Sequence, residues 1–162
     1  MKKLLSLIVI IGTLVIGGLQ AFADDAADAL KFFNSYVNSA NTYDPNLPNY
    51  YSSNAKIIRQ VVKPDGGLAN AYTDTAMYVK QMKIGQATAK ARKYTNSYSD
   101  VKIQSLGGGK YKISSLRQPK GETYKLKTYM IVKKIDGNWK IIEELMQTKE
   151  QIFLKFATET VK

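Results

Sequence analysis

Not one of the 162 residues is a histidine or a cysteine, and these two absences remove more chemistry than any motif supplies. Without histidine there is no Ser-His-Asp or Cys-His nucleophile and no imidazole base. Without either residue the usual zinc sites cannot be built. Any reaction would have to rest on Asp, Glu, Lys, Tyr or Arg, and neither a metal nor an organic cofactor is expected. The lack of cysteine also rules out disulfides and a thiol-linked lipid at a mature N-terminus. Acids are scarce as well: 13 Asp and Glu stand against 24 Lys and Arg, a net charge of +11. Such an excess favours anionic partners, among them phospholipid head groups, cell-wall polymers and acidic proteins.

The N-terminus has the three parts of a secretory leader. Lys2 and Lys3 form a positive start, Leu4 to Leu19 is an uncharged and mostly apolar run, and Ala21-Phe22-Ala23 supplies the small residues that signal peptidase reads. Cleavage after Ala23 removes two lysines and no acid, which lowers the net charge to +9 on the 139 residues left of 162. That length suits a single domain, residues 24–162, able to bury a core without disulfides. The expected product is a bacterial periplasmic or secreted protein with no stable membrane anchor. Export makes nucleic acid the least suited of the anionic partners.

Past the leader, Ala26, Ala29, Leu30, Phe33, Tyr36, Val37 and Ala40 recur at spacings of three and four and predict an amphipathic helix over 26–41. Asp44-Pro45 and Leu47-Pro48 end it. Ala55 to Val62 is rich in β-branched residues and closes in Pro64-Asp65-Gly66-Gly67, with Leu68 to Tyr72 as a candidate returning strand. Thr73-Asp74 starts a second helix, expected to stop near Gly85. The rest reads as four strands, Thr88–Leu106, Lys110–Leu116, Glu122–Ile135 and Asn138–Gln147. The last two are joined by Asp136-Gly137, the strongest hairpin signal in the chain. A C-terminal helix is predicted within 148–162, where Ile152, Phe153, Phe156 and Ala157 make a stripe. Helices first and an antiparallel meander afterwards make an α+β layout.

Two local patterns carry a resemblance. One runs from Tyr36-Val37-Asn38-Ser39-Ala40-Asn41 through Asp44, Leu47, Tyr50 and Tyr51 to Ala55–Ile57. The other is Ile135-Asp136-Gly137-Asn138-Trp139-Lys140-Ile141. Together with the element order, over residues 26–148, the chain resembles the nuclear transport factor 2-like superfamily, the cone-shaped α+β fold of ketosteroid isomerases and scytalone dehydratases. The resemblance implies N-terminal helices in the concave face of a strongly bent antiparallel sheet, with a cavity between them. In that group the cavity holds acid–base residues in some members and only binds or oligomerises in others, so fold does not decide function.

An isomerase-like site needs a carboxylate facing an apolar cavity and a tyrosine to stabilise an enolate. Of the adjacent Glu143 and Glu144, strand alternation puts Glu143 on the face of Trp139, Ile141 and Leu145 and makes it the interior candidate, with Tyr124 as its partner. The competing reading pairs Glu143 with a cross-strand lysine on the sheet surface. Tyr36, Met82, Tyr124, Leu126, Met130 and Glu143 are the candidate ligand-lining residues. Lys110, Lys112, Lys125, Lys127, Lys133 and Lys140 would form a basic sheet face if their strands align. With no convincing acid–base pair, the leading expectation is an exported, non-catalytic binding module. It would hold a small apolar or amphipathic ligand or an anionic envelope component, with a homodimer as one form it could take. The alternatives are a cofactor-free lyase or isomerase using a buried carboxylate and a tyrosine, and a protein-binding envelope factor acting through the basic face. Trp139 is expected to anchor the last hairpin.

Overall fold

The apolar stripe that begins at Ala26 does form a helix, α1, over residues 24–41 of the computed structural model, which describes residues 24–161. The leader expected over residues 1–23 lies outside the described residues. A 3-10 turn, Leu47–Tyr50, leads into β1 (Tyr51–Val62) and β2 (Leu68–Thr73). The second helix, α2, covers Thr75–Ala91, and β3 (Asn96–Gly107), β4 (Lys110–Pro119), β5 (Leu126–Ile135) and β6 (Asn138–Thr148) follow. The strands form one sheet in the order β3-β4-β5-β6-β1-β2, and a seventh strand, β7 (Ala157–Val161), adds to β2. All neighbours are antiparallel except β1 and β6, which run parallel.

The sheet wraps α1. Ala29, Phe33 and Tyr36 on the helix are buried against Ile57 of β1, Tyr111 and Ile113 of β4, Met130 and Val132 of β5, and Ile141 of β6. Contributions from four strands to one helix stripe require a curved sheet, and burial of this apolar surface is the main source of stability. Strand β4 alternates buried and open residues from Tyr111 onward, and β5 does so from Leu126 to Val132. This is the one-face-wet pattern expected of an antiparallel sheet over a core. The Asp136-Gly137 turn has positive φ at both residues, 50° and 77°, as a two-residue hairpin requires.

Three expectations need correction. Helix α2 does not stop at Gly85 but continues to Ala91. Gln86-Ala87-Thr88-Ala89-Lys90-Ala91 is mostly good helix-forming sequence, and one glycine costs only about 1 kcal/mol against it. The first strand of the meander therefore begins at Asn96 rather than Thr88. The tail is not an α-helix. It opens as a 3-10 turn, Gln151–Phe156, then pairs with the free edge of β2 as β7, and the ladder satisfies backbone groups that an edge would leave open.

Trp139 does sit on the last hairpin, edge-on to Tyr111 with ring centroids 5.8 Å apart, and the Lys134 ammonium lies 5.1 Å from its ring. It is only half-buried. Trp139→Ala is expected to cost about 2 kcal/mol in urea unfolding, short of the value for a fully enclosed ring. A loss well under 1 kcal/mol would show that the ring anchors nothing.

Candidate functional site

The inward carboxylate is Glu144, not Glu143. In the β5–β6 ladder Ile131 pairs with Glu143 but Val132 pairs with Ile141, so Ile142 is an extra residue with no partner on β5. A bulge of one residue reverses the alternation beyond it. Trp139 and Ile141 face the core before the bulge, and Glu144 faces it after. Glu143 is turned to the opposite face, where its Oε1 accepts from the Tyr129 hydroxyl at 2.6 Å. Its partner is a tyrosine, not the cross-strand lysine of the competing reading. Burial first, and then the bond to Glu143, raise the Tyr129 pKa, so this hydroxyl stays a donor at neutral pH. Because the pair is half-exposed, Glu143→Gln is expected to change stability by no more than about 1 kcal/mol. A clearly larger loss in thermal unfolding would contradict this placement.

Glu144 is 1% exposed, and both of its oxygens are occupied. Oε2 accepts from the Tyr51 hydroxyl at 2.5 Å and the Tyr36 hydroxyl at 3.2 Å. Oε1 accepts from Arg59 at 2.8 Å. The two tyrosine hydroxyls are 3.0 Å apart. The Arg59 guanidinium lies 4.7 Å from the centre of the Tyr78 ring, which meets Tyr51 edge-on at 5.3 Å. Burial pushes the Tyr36 and Tyr51 pKa values up, and the Glu144 charge pushes them further. Burial opposes the charge on Arg59, but Tyr78, Glu144 and Tyr51 outweigh it and raise its pKa. The group is therefore a closed ion pair held by protonated tyrosines. The side chains beside Glu144, among them Phe33, Tyr98, Ile113, Met130 and Met146, leave about 0 Å³ for a molecule even as small as water.

Open space lies elsewhere. Where the end of α1 and the loop after it face α2, an apolar cleft of about 270 Å³ is lined by Ala40, Tyr43, Leu47, Met82 and Ala89 among others. Its walls are fixed to the body of the protein. Gln86 Nε2 donates to the Tyr43 carbonyl at 2.7 Å. The Asn41 side chain both donates to and accepts from the Asn96 backbone at 2.9 Å. The Asn96 side chain in turn accepts from buried Arg117 at 2.7 Å, which also donates to the Gln147 carbonyl at 2.8 Å.

The candidate residues scatter over these places. Tyr36 belongs to the Glu144 cluster, Leu126 and Met130 are buried, and Met82 lines the cleft. Tyr124 precedes β5 and lies under the Lys149 ammonium at 3.9 Å, so it does not face Glu143 across a cavity. Among the lysines, Lys110 pairs in register with Lys133, and Lys133 with Lys140. Lys140 donates to the Asn49 carbonyl at 2.5 Å. Lys112 and Lys127 share an outer groove with Lys102 and Asp100. Lys125 stands apart and donates to Ser99 at 3.1 Å. Sequence reasoning missed Glu144, Arg59, Tyr51 and Tyr78. One signal was available: an arginine inside the apolar run Ile57-Ile58-Arg59-Gln60-Val61-Val62 needs a buried acceptor.

No family model matches the chain, and no curated protein matches it. Solved structures do. A scytalone dehydratase-like protein of Novosphingobium aromaticivorans is similar at TM-score 0.56 and 16% identity, with 88% of each chain covered. An NTF2-like protein of unknown function from Pseudomonas putida superposes at TM-score 0.62 and 8% identity, over 86% of this chain and 97% of that one. A second N. aromaticivorans protein, NTF2-like with a cystatin-like fold, gives TM-score 0.60 and 10% identity over 83% and 88%. Identities this low speak to fold alone. A helix wrapped by a curved, mostly antiparallel sheet, superposable on these proteins along most of its length, is the nuclear transport factor 2-like fold, and this chain has it.

Proposed function

We propose that the protein is an exported, non-catalytic binding module that holds a small apolar or amphipathic ligand in the cleft between α1 and α2. The fold itself is compatible with a ligand-binding or an isomerase-like module. What favours binding is one observation: the carboxylate inside the cone is fully engaged by Arg59, Tyr36 and Tyr51, with no volume beside it for a substrate. A general base must reach a substrate proton, and Glu144 is enclosed on every side. The cleft, by contrast, is apolar and open at its mouth, the usual character of a ligand site. Export rests on the leader of residues 1–23.

Nile red, a neutral apolar dye, tests the cleft. Its fluorescence is expected to rise on the wild-type protein and to stay flat on Ala89→Trp, which fills the cleft. Equal signals from both would overturn the assignment. Export is tested by N-terminal sequencing of protein from the host envelope, where Asp24 is the expected first residue. Met1 retained on a membrane-bound chain would refute it.

A second reading, an envelope factor working through the basic sheet face, is favoured by the register that sets Lys110 directly against Lys133. Like charges opposed across a ladder destabilise it unless an anion lies between them. Binding to an anionic cell-wall polymer that survives Ala89→Trp but is lost in Lys110→Glu with Lys133→Glu would support this reading.

A further inference from the structure

Resting on the cleft as the binding site, we infer that its ligand is an amphiphile with an anionic head, a medium-chain carboxylate in type, whose head is received by Lys83. The lining is apolar along Ala40, Leu47, Met82 and Ala89, which suits an alkyl chain, and Lys83 is the charged side chain among the lining residues. Lys83 is exposed and makes no ion pair with a carboxylate among the described residues.

The surrounding charge has the same sign. Helix α2 (TAMYVKQMKIGQATAKA) contains three lysines and no acid, and Arg92 and Lys93 follow it. Asp74, at its N-cap, accepts from the Met77 amide at 2.7 Å at the far end of the helix. Asp44, in the loop next to the cleft, is turned away from it. Its oxygens accept from the Asn46 amide at 2.8 Å and the Ser39 hydroxyl at 3.3 Å, and it borders the neighbouring surface depression. A ligand in the cleft therefore meets apolar walls and the Lys83 ammonium, with no acid among the lining residues. Charge complementarity of this kind selects an anion over a neutral molecule of the same shape.

The experiment compares decanoate with decanol as competitors for bound Nile red, each below its aggregation concentration. In the wild type both should displace the dye. Lys83→Gln should weaken decanoate by about two- to fivefold, since a rim ion pair is worth up to about 1 kcal/mol, and leave decanol unchanged. Raising the salt should shrink the difference. Lys80→Gln, on the same helix but outside the cleft lining, should behave as wild type. If Lys83→Gln changes the two competitors equally, the anionic head is wrong while the cleft stands. If neither competitor displaces the dye, or Ala89→Trp still binds it, the cleft assignment itself falls.

Discussion

Replacing Glu144 by Gln should destabilise the protein by about 3–5 kcal/mol, because it leaves the Arg59 guanidinium buried without its counter-charge. The isosteric amide keeps the volume, so packing contributes little to the loss. Arg59 uses one Glu144 oxygen and the two tyrosines use the other, whereas Gln has a single carbonyl oxygen. One side would therefore face the amide NH2, and Arg59 would in either case lose its ionic acceptor. Total stability of a domain this size is about 5–15 kcal/mol, so the variant should unfold at clearly lower urea than the wild type at neutral pH. Exchanging the whole pair, Glu144→Leu with Arg59→Met, should recover at least half of the loss, since burying neither charge avoids the desolvation cost. A Glu144→Gln loss below about 1 kcal/mol would mean that water reaches the pair and that the cone is not closed. The contrast with Glu143→Gln, one residue away and nearly silent, would locate the effect in the core rather than in the strand.

Stability should also fall steeply in alkali. Tyr36 and Tyr51 are nearly inaccessible, at 4% and 5% exposure, and burial, then the Glu144 charge, hold their pKa values well above the ordinary 10.0. In the unfolded chain their hydroxyls ionise near 10. Above that pH the unfolded state releases protons that the folded state keeps, so the equilibrium shifts toward unfolding. The contribution of these groups is fully present below pH 10 and lost as pH climbs toward the raised folded-state values. Each group contributes a fall of about 1.4 kcal/mol per pH unit, so the pair alone removes about 3 kcal/mol by about pH 11. Urea unfolding at intervals between neutral pH and that point measures the slope. Tyr51→Phe, which removes one titrating hydroxyl, should flatten it by about 1.4 kcal/mol per pH unit. A wild-type curve with no slope above pH 10 would show that both hydroxyls are open to solvent.

Local periodicity carried much of this protein on its face. The stripe from Ala29 to Tyr36 declares α1, the Asp136-Gly137 turn declares the last hairpin, and the alternation from Leu126 to Val132 declares which side of β5 is buried. Each depends on neighbours within a few residues, which is the range over which backbone geometry repeats. The engaged carboxylate could not be read in that way. Which of Glu143 and Glu144 points inward depends on one unpaired residue, Ile142, and a bulge is a property of two strands in register rather than of one strand alone. Arg59 and Glu144 are 85 residues apart in sequence and meet only because β1 lies parallel to β6. The fate of the tail was settled similarly, by the free edge of β2 that β7 covers. The cleft exists because α2 runs on past Gly85 far enough to bring Ala89 opposite Tyr43. Composition alone excluded histidine and thiol chemistry. The filling of the cone, and with it the shift of the candidate binding site to the helices, was decided by tertiary packing, because whether a cavity is empty or full depends on side chains contributed from every strand at once.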